Sequence, residues 1–291
     1  MSHIPTIPRR EDKPSVWTRP RGPAPQEGGG RERPSGRGPY GRDPRGGGPF
    51  GGGPPDQGPP KLKREPIFTM PTSVIVMVAL LAVVHAVRSQ LGYYRDLEVL
   101  AWFAFIPARY TMEWAMLPGG IYAGVWTFVT YALLHGSLMH IITNAIWLLA
   151  FGSAVARRFG ALRFWLFSAA AAAGGAAVHL AMHPGETIPV VGASAAIAGQ
   201  MAAAARFVFD DAGPLMFRHA PDDARYRRPA GSLIDVFRNR KALAFIMIWF
   251  AINLLVGLGG NVGAGATIAW EAHIGGFLVG LLAFRLFDPV R

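Results

Sequence analysis

A handful of polar side chains stand in apolar surroundings where polar groups are costly and mark functional candidates: His135, His140, Asn144, Ser194 and His273. A serine hydroxyl is a weak nucleophile until a base takes its proton, and histidine is the side chain best suited to take it. Ser194 lies in Gly192-Ala193-Ser194, just after Pro189, where a helix is expected to begin. A helix N-terminus offers unpaired backbone N–H groups and the positive end of the helix dipole, which suits a developing oxyanion. His273 is the only histidine of the last apolar stretch and is followed by Gly275, Gly276 and Gly280. Gly276 and Gly280 make a small-xxx-small face, and Ala195, Ala196 and Gly199 offer a small surface to match. Tight pairing of these two helices would bring His273 within hydrogen-bond reach of Ser194. No aspartate is evident to orient the imidazole, so the expected unit is a Ser–His dyad.

His140 and Asn144, four residues apart, share a helix face, whereas His135 points elsewhere. Taken singly, each of these groups reads first as an interhelical hydrogen bond. Three histidines could also suggest a metal site. No HExxH motif is present and no inward carboxylate accompanies them, so neither a metal nor a cofactor is expected. The chain has no cysteine, which excludes disulfides, thiolate ligands and a cysteine nucleophile.

The elements that must carry these residues follow from composition. Hydrophobic residues are 51% and charged residues 16% of the 291, yet Gly (36) and Pro (24) are both far above typical usage, so the chain must combine two unlike segments. Residues 1–66 hold 15 of the prolines and 14 of the glycines, too little apolar surface to offset ordering, and read as a disordered tail. From residue 67 the charges thin out into long charge-free stretches such as Trp114–Ala156, Phe164–Gly185 and Ala242–Trp270. Spanning helices are expected at 68–89, 132–153, 161–183, 192–210, 241–259 and 269–287, with a re-entrant or interfacial segment broken at Pro118-Gly119-Gly120. The expected fold is therefore an all-α membrane protein: a six-helix domain, 67–291, behind the tail, 1–66.

The net charge of +11 could signal nucleic-acid binding, but its distribution argues for topology. Thirteen Lys/Arg lie in the tail, three between the second and third helices and eight between the fourth and fifth, while the connections 184–191 and 260–268 have none. Both termini are then cytoplasmic, and no nucleic-acid partner is expected. Glu271 lies about 200° around the helix from His273 and is expected to face the aqueous end. His179 and His183 close the third helix and read as interfacial residues.

Three segments together, His135-Gly-Ser-Leu-Met-His140-Ile-Ile-Thr-Asn144, Gly192-Ala-Ser194 and Ala272-His273-Ile-Gly-Gly276-Phe-Leu-Val-Gly280, resemble the rhomboid intramembrane serine proteases in motif order and helix placement. The resemblance implies Ser194 as nucleophile and His273 as general base. It further implies that His140 and Asn144 join the Ser194 N–H in binding the oxyanion, with His135 structural. Trp126, Thr130 and His135 match part of the family's WRxxTxxxxH frame in the first loop. The implied partners are the lipid bilayer and substrates with transmembrane helices; the implied location is a bacterial inner (plasma) membrane. A non-catalytic rhomboid-like protein that binds or escorts membrane clients is the rival reading. Four departures stand out. Thr127 replaces the usual arginine, which implies looser anchoring of the first loop. Ala195 and Ala156 replace the usual glycine and glutamate. Ala198 replaces the aromatic residue that packs on the histidine, leaving open what holds the imidazole.

Overall fold

The computed structural model describes residues 70–111, 117–209, 226–258 and 269–290. These residues all fall in one compact unit, Arg64–Arg291. The tail 1–66 lies outside the described residues. Helix α1 (Thr72–Ser89) starts after Pro71 and is apolar nearly all round, with Ile75, Val76, Val83 and Val87 exposed. The first loop holds two short helices, α2 (Tyr93–Phe103) and α3 (Gly120–Thr130), separated by a 3-10 turn at Pro107–Tyr110. Helix α4 (Leu138–Trp147) continues through a π-helical turn, Leu148–Gly152, into α5 (Ser153–Phe159). Then come α6 (Ala161–Met182), α7 (Ser194–Ala205), α8 (Leu233–Arg238), α9 (Arg240–Leu258), α10 (Trp270–Leu282) and α11 (Phe284–Phe287). The described residues contain no strand, only an isolated bridge between Phe105 and Val190.

Among the described residues, three helical segments are long and apolar enough to cross a membrane: Thr72–Ser89, Leu138–Phe159 and Ala161–Met182. Exposed Leu162, Leu166, Met247, Ile248 and Leu255 add an apolar exterior that water would not tolerate on this scale. Three expected boundaries shift. The second span, expected at 132–153, runs from Leu138 to Phe159. Tyr131–Leu133 form a 3-10 turn and Leu134 is extended, so the helix waits for Ser137, whose Oγ accepts the His140 N–H at 3.1 Å. The segment expected at 192–210 is helical only over the 12 residues of α7, about 18 Å, shorter than the hydrocarbon core of a bilayer. The stretch expected at 269–287 breaks at Ala283 between α10 and α11.

Helix α7 is buried from Ala195 to Ala205 and packs closely with α6 and α10. Glycine makes that approach possible. A Cβ on Gly276 would collide with the Ala195 carbonyl, one on Gly280 with the Gly199 carbonyl, and one on Gly275 with the Gly174 carbonyl. At the other end of the bundle two arginines are buried. Arg158 makes a bidentate pair with Asp288 at 2.8 and 2.9 Å and donates to the Tyr226 and Arg228 carbonyls. Arg206 donates to the Gly231 and Leu281 carbonyls, and both guanidiniums stack over Phe284. The α8 turn is closed by a capping box in which the Ser232 hydroxyl and N–H hold the Asp235 carboxyl below the usual aspartate range.

Candidate active site

Ser194 is the first residue of α7, so its N–H and those of the next residues have no carbonyl partner within the helix. The chain reaches it through Gly192, at φ +122°, whose N–H donates to the Tyr131 carbonyl at 3.0 Å. Upstream, the paired Phe105 and Val190 backbones fasten this connection to the first loop at 2.8 and 3.1 Å. His273 is carried by α10, whose glycines let it lie against α7. The two side chains meet: Ser194 Oγ stands 2.7 Å from His273 Nε2.

A third side chain completes the row. His273 Nδ1 lies 2.5 Å from Asn253 Oδ1, on α9. The Asn253 amide is itself oriented, because Nδ2 donates to the Trp249 carbonyl at 2.8 Å and turns the oxygen toward the ring. An amide oxygen only accepts, so the proton sits on Nδ1 and Nε2 is left with its lone pair toward the serine hydroxyl. The orienting group is thus an asparagine, where the sequence pattern offered no aspartate and Asn253 did not stand out. The available signal was an amide within the charge-free stretch 242–270, which holds two, Asn253 and Asn261. Asn253 also answers what holds the imidazole where Ala198 replaces an aromatic side chain. Ala198 is instead buried in a cluster with Phe277, on which Trp249 stacks at 5.0 Å.

The remaining expected residues gather around Gly192. A Cβ there would sit 2.7 Å from His140 Nε2 and 3.7 Å from Ser194 Oγ, so the missing methyl leaves a space between those two groups. Asn144 is buried on the same face of α4 and spends one Nδ2 hydrogen on the His140 carbonyl at 3.1 Å, keeping its second N–H. His135 precedes the helix. Its ring does not point away from His140: it is buried edge-to-face against it at 5.0 Å, and neither ring nitrogen has a hydrogen-bond partner among the described residues. Trp126 stacks on Trp102 and donates to its carbonyl at 2.9 Å, joining α3 to α2.

The loop is tied more firmly than Thr127 alone implies. Thr127 is buried and bonds its own helix at the Ala123 carbonyl. The anchoring guanidinium comes from Arg109, almost fully buried, which donates to the carbonyls of Ala101, Pro118 and Gly120. Arg109 carries no signal in the sequence beyond its charge.

The family model of the Rhomboid domain matches residues 122–288, more than half of the chain, and the matched region contains His140, Ser194, Asn253 and His273. The chain belongs to the rhomboid family. Rhomboids are in general intramembrane serine proteases that act on transmembrane substrates, and this rhomboid is an integral membrane protein. Its Gly276 and Gly280 lie where α10 meets Ala195 and Gly199 of α7, the helix that Ser194 begins.

Proposed function

We propose that this rhomboid is an active intramembrane serine endopeptidase, built as a six-span catalytic domain over 67–291 with a disordered cytoplasmic tail over 1–66. Both termini face the cytoplasm of a bacterial cell, and the domain lies in its inner membrane. The observation that carries the reading is the continuous row of hydrogen bonds from Asn253 through His273 to Ser194. A client-binding or escort protein has no use for a nucleophile, a base and an orienting acceptor in line.

Ser194 Oγ attacks the scissile carbonyl carbon while its proton passes to His273 Nε2. The ring is then an imidazolium, and its Nδ1–H bond to Asn253 becomes charge-assisted and stronger. The carbonyl oxygen, now an oxyanion, enters the space beside Gly192. There it meets the Ser194 N–H, His140 with its proton on Nε2, and the second N–H of Asn144. His273 Nε2–H next protonates the leaving amine, which departs with the C-terminal half of the substrate. A water gives its proton to the same nitrogen as it attacks the acyl ester, and the ring returns that proton to Ser194. The substrate is a transmembrane segment with small residues at the cut and weak helicity beyond it, because a stable helix keeps its carbonyls bonded.

The test is labelling of the detergent-solubilised full chain with a fluorophosphonate probe, beside cleavage of a reporter helix. Wild type should label and cleave, and Ser194→Ala and His273→Ala should do neither. Equal labelling of wild type and Ser194→Ala would overturn the nucleophile. A folded wild type that binds the reporter helix without cutting or labelling would favour the escort reading.

A further inference from the structure

We propose that His179, His183 and Glu271 bind a zinc-class divalent cation, with Glu186 as the carboxylate behind the two histidines. This site is separate from the serine machinery and does not rest on its activity. These are not the histidines whose grouping first suggested a metal, and Glu271 was expected to face the aqueous end. Glu271 is instead buried against the last turn of α6. His179 and His183 are four residues apart on that turn, one face of the helix, with ring centroids 4.8 Å apart.

Ligand atoms from the three side chains all lie within 4.8 Å of one another. His183 Nε2 is 3.0 Å from Glu271 Oε1, and His179 Nδ1 is 3.8 Å from Glu271 Oε2. Tetrahedral zinc, with bonds of about 2.0–2.1 Å, holds its donors roughly 3.3–3.4 Å apart, so these gaps bracket the span such an ion would fill. Two imidazoles and one carboxylate form a donor set that suits zinc and its first-row neighbours, not calcium or magnesium.

Two further observations point to a ligand. His179 is only 5% exposed, and neither of its ring nitrogens has a hydrogen-bond partner among the described residues. A buried imidazole whose nitrogens have only carboxylate contacts of 3.6 and 3.8 Å is short of two hydrogen bonds, and a metal on Nδ1 would remove half of that deficit. The second is the place of Glu186. Its Oε2 lies 3.6 Å from His179 Nε2 and 3.6 Å from His183 Nδ1, in each case the nitrogen turned away from Glu271. Metal-bound histidines characteristically give their other N–H to a carboxylate, which fixes the ring and raises its basicity. The two carboxylates also balance the charge of a divalent ion. His183 is partly exposed, leaving an entry path and a fourth position for water.

The ion would clamp the end of α6 to the start of α10, two residues before His273. Through Glu186 it would also steady the connection that leads into Gly192-Ala193-Ser194.

The experiment uses the full chain, purified without a polyhistidine tag and stripped with a chelator. Zinc is titrated against a chromophoric competitor, stoichiometry is read by elemental analysis, and cobalt is substituted for its tetrahedral absorption bands. One zinc per chain is expected, with a zinc-dependent rise in melting temperature. Glu186→Gln should weaken binding roughly 10- to 100-fold. His183→Ala, at a half-exposed position that the fold tolerates more readily than the buried His179, should abolish stoichiometric binding and the thermal shift. Wild-type affinity in both His183→Ala and Glu271→Gln would put the metal elsewhere and overturn the assignment. A wild-type chain holding no zinc at about 100 μM free metal overturns it too, leaving a His–carboxylate ion-pair cluster.

Discussion

Asn253 gives the sharpest test of how the base is held. Replacing it with alanine removes the only hydrogen-bond acceptor found for His273 Nδ1–H among the described residues. A donor left unpaired in such a site costs about 1–3 kcal/mol, and at 1.36 kcal/mol per factor of ten that corresponds to roughly 5- to 150-fold. The loss should fall mainly in the transition state. There the ring carries a full charge and the bond is charge-assisted, about twice as strong as the neutral one. The effect is therefore expected in kcat with KM nearly unchanged, the signature of an interaction made chiefly at the barrier. Asn253→Leu, which keeps the side-chain volume, should match Asn253→Ala and exclude a packing cause. Asn253→Asp, which keeps an acceptor, should recover at least half of the lost rate on a logarithmic scale. The assay is the second-order rate of fluorophosphonate labelling together with kcat and KM on a reporter helix, each variant matched by its melting temperature. Labelling and kcat within twofold of wild type for both Ala and Leu variants would refute the positioning role.

Three more outcomes follow from the packing around the serine. Gly276→Ala drives a Cβ into the Ala195 backbone, one residue from the nucleophile, and should cost about 1–3 kcal/mol in thermal or denaturant unfolding and most of the probe labelling. Gly192→Ala combines a left-handed φ with a collision against His140, and should lower kcat/KM by about 100-fold or more; Gly136→Ala, with nothing within 4 Å of its Cβ, is the neutral control. Arg109→Met strips three carbonyls of their shared donor and should speed limited proteolysis of the first loop severalfold while leaving Ser194 labelling in the surviving domain close to wild type.

Ser194, His273 and the glycine faces were readable in the sequence because each signal is local: a helix start, a histidine in an apolar run, small residues at a spacing of four. Boundaries were less readable. Hydropathy does not distinguish an α-helix from the 3-10 turn at Tyr131–Leu133, and the cap that starts α4 is a single hydroxyl at Ser137. The charges were legible by position but not by partner. Arg158 and Arg206 were counted as topological signals, yet both are buried, one against Asp288 and the other against backbone carbonyls far along the chain. Those partners lie beyond any window a pattern can scan.

A polar group at membrane depth is therefore an incomplete signal, as two others in this bundle make clear. Gln200 and Ser168 are both buried polar side chains. Gln200 donates to the Ser168 hydroxyl at 3.0 Å, and that hydroxyl donates to the Phe164 carbonyl of its own helix. The chain of bonds closes on backbone, joins α6 to α7, and reaches no group that can change its proton count. The bonds from Asn253 run the other way. They begin on backbone at Trp249, pass through a ring that can gain and lose a proton, and end on a hydroxyl at the unpaired N-terminus of α7. Both sets contain an amide carried by an apolar helix. What separates a structural tie from a proton path is the group the amide holds, and for Asn253 that group is the His273 ring, 20 residues away on another helix.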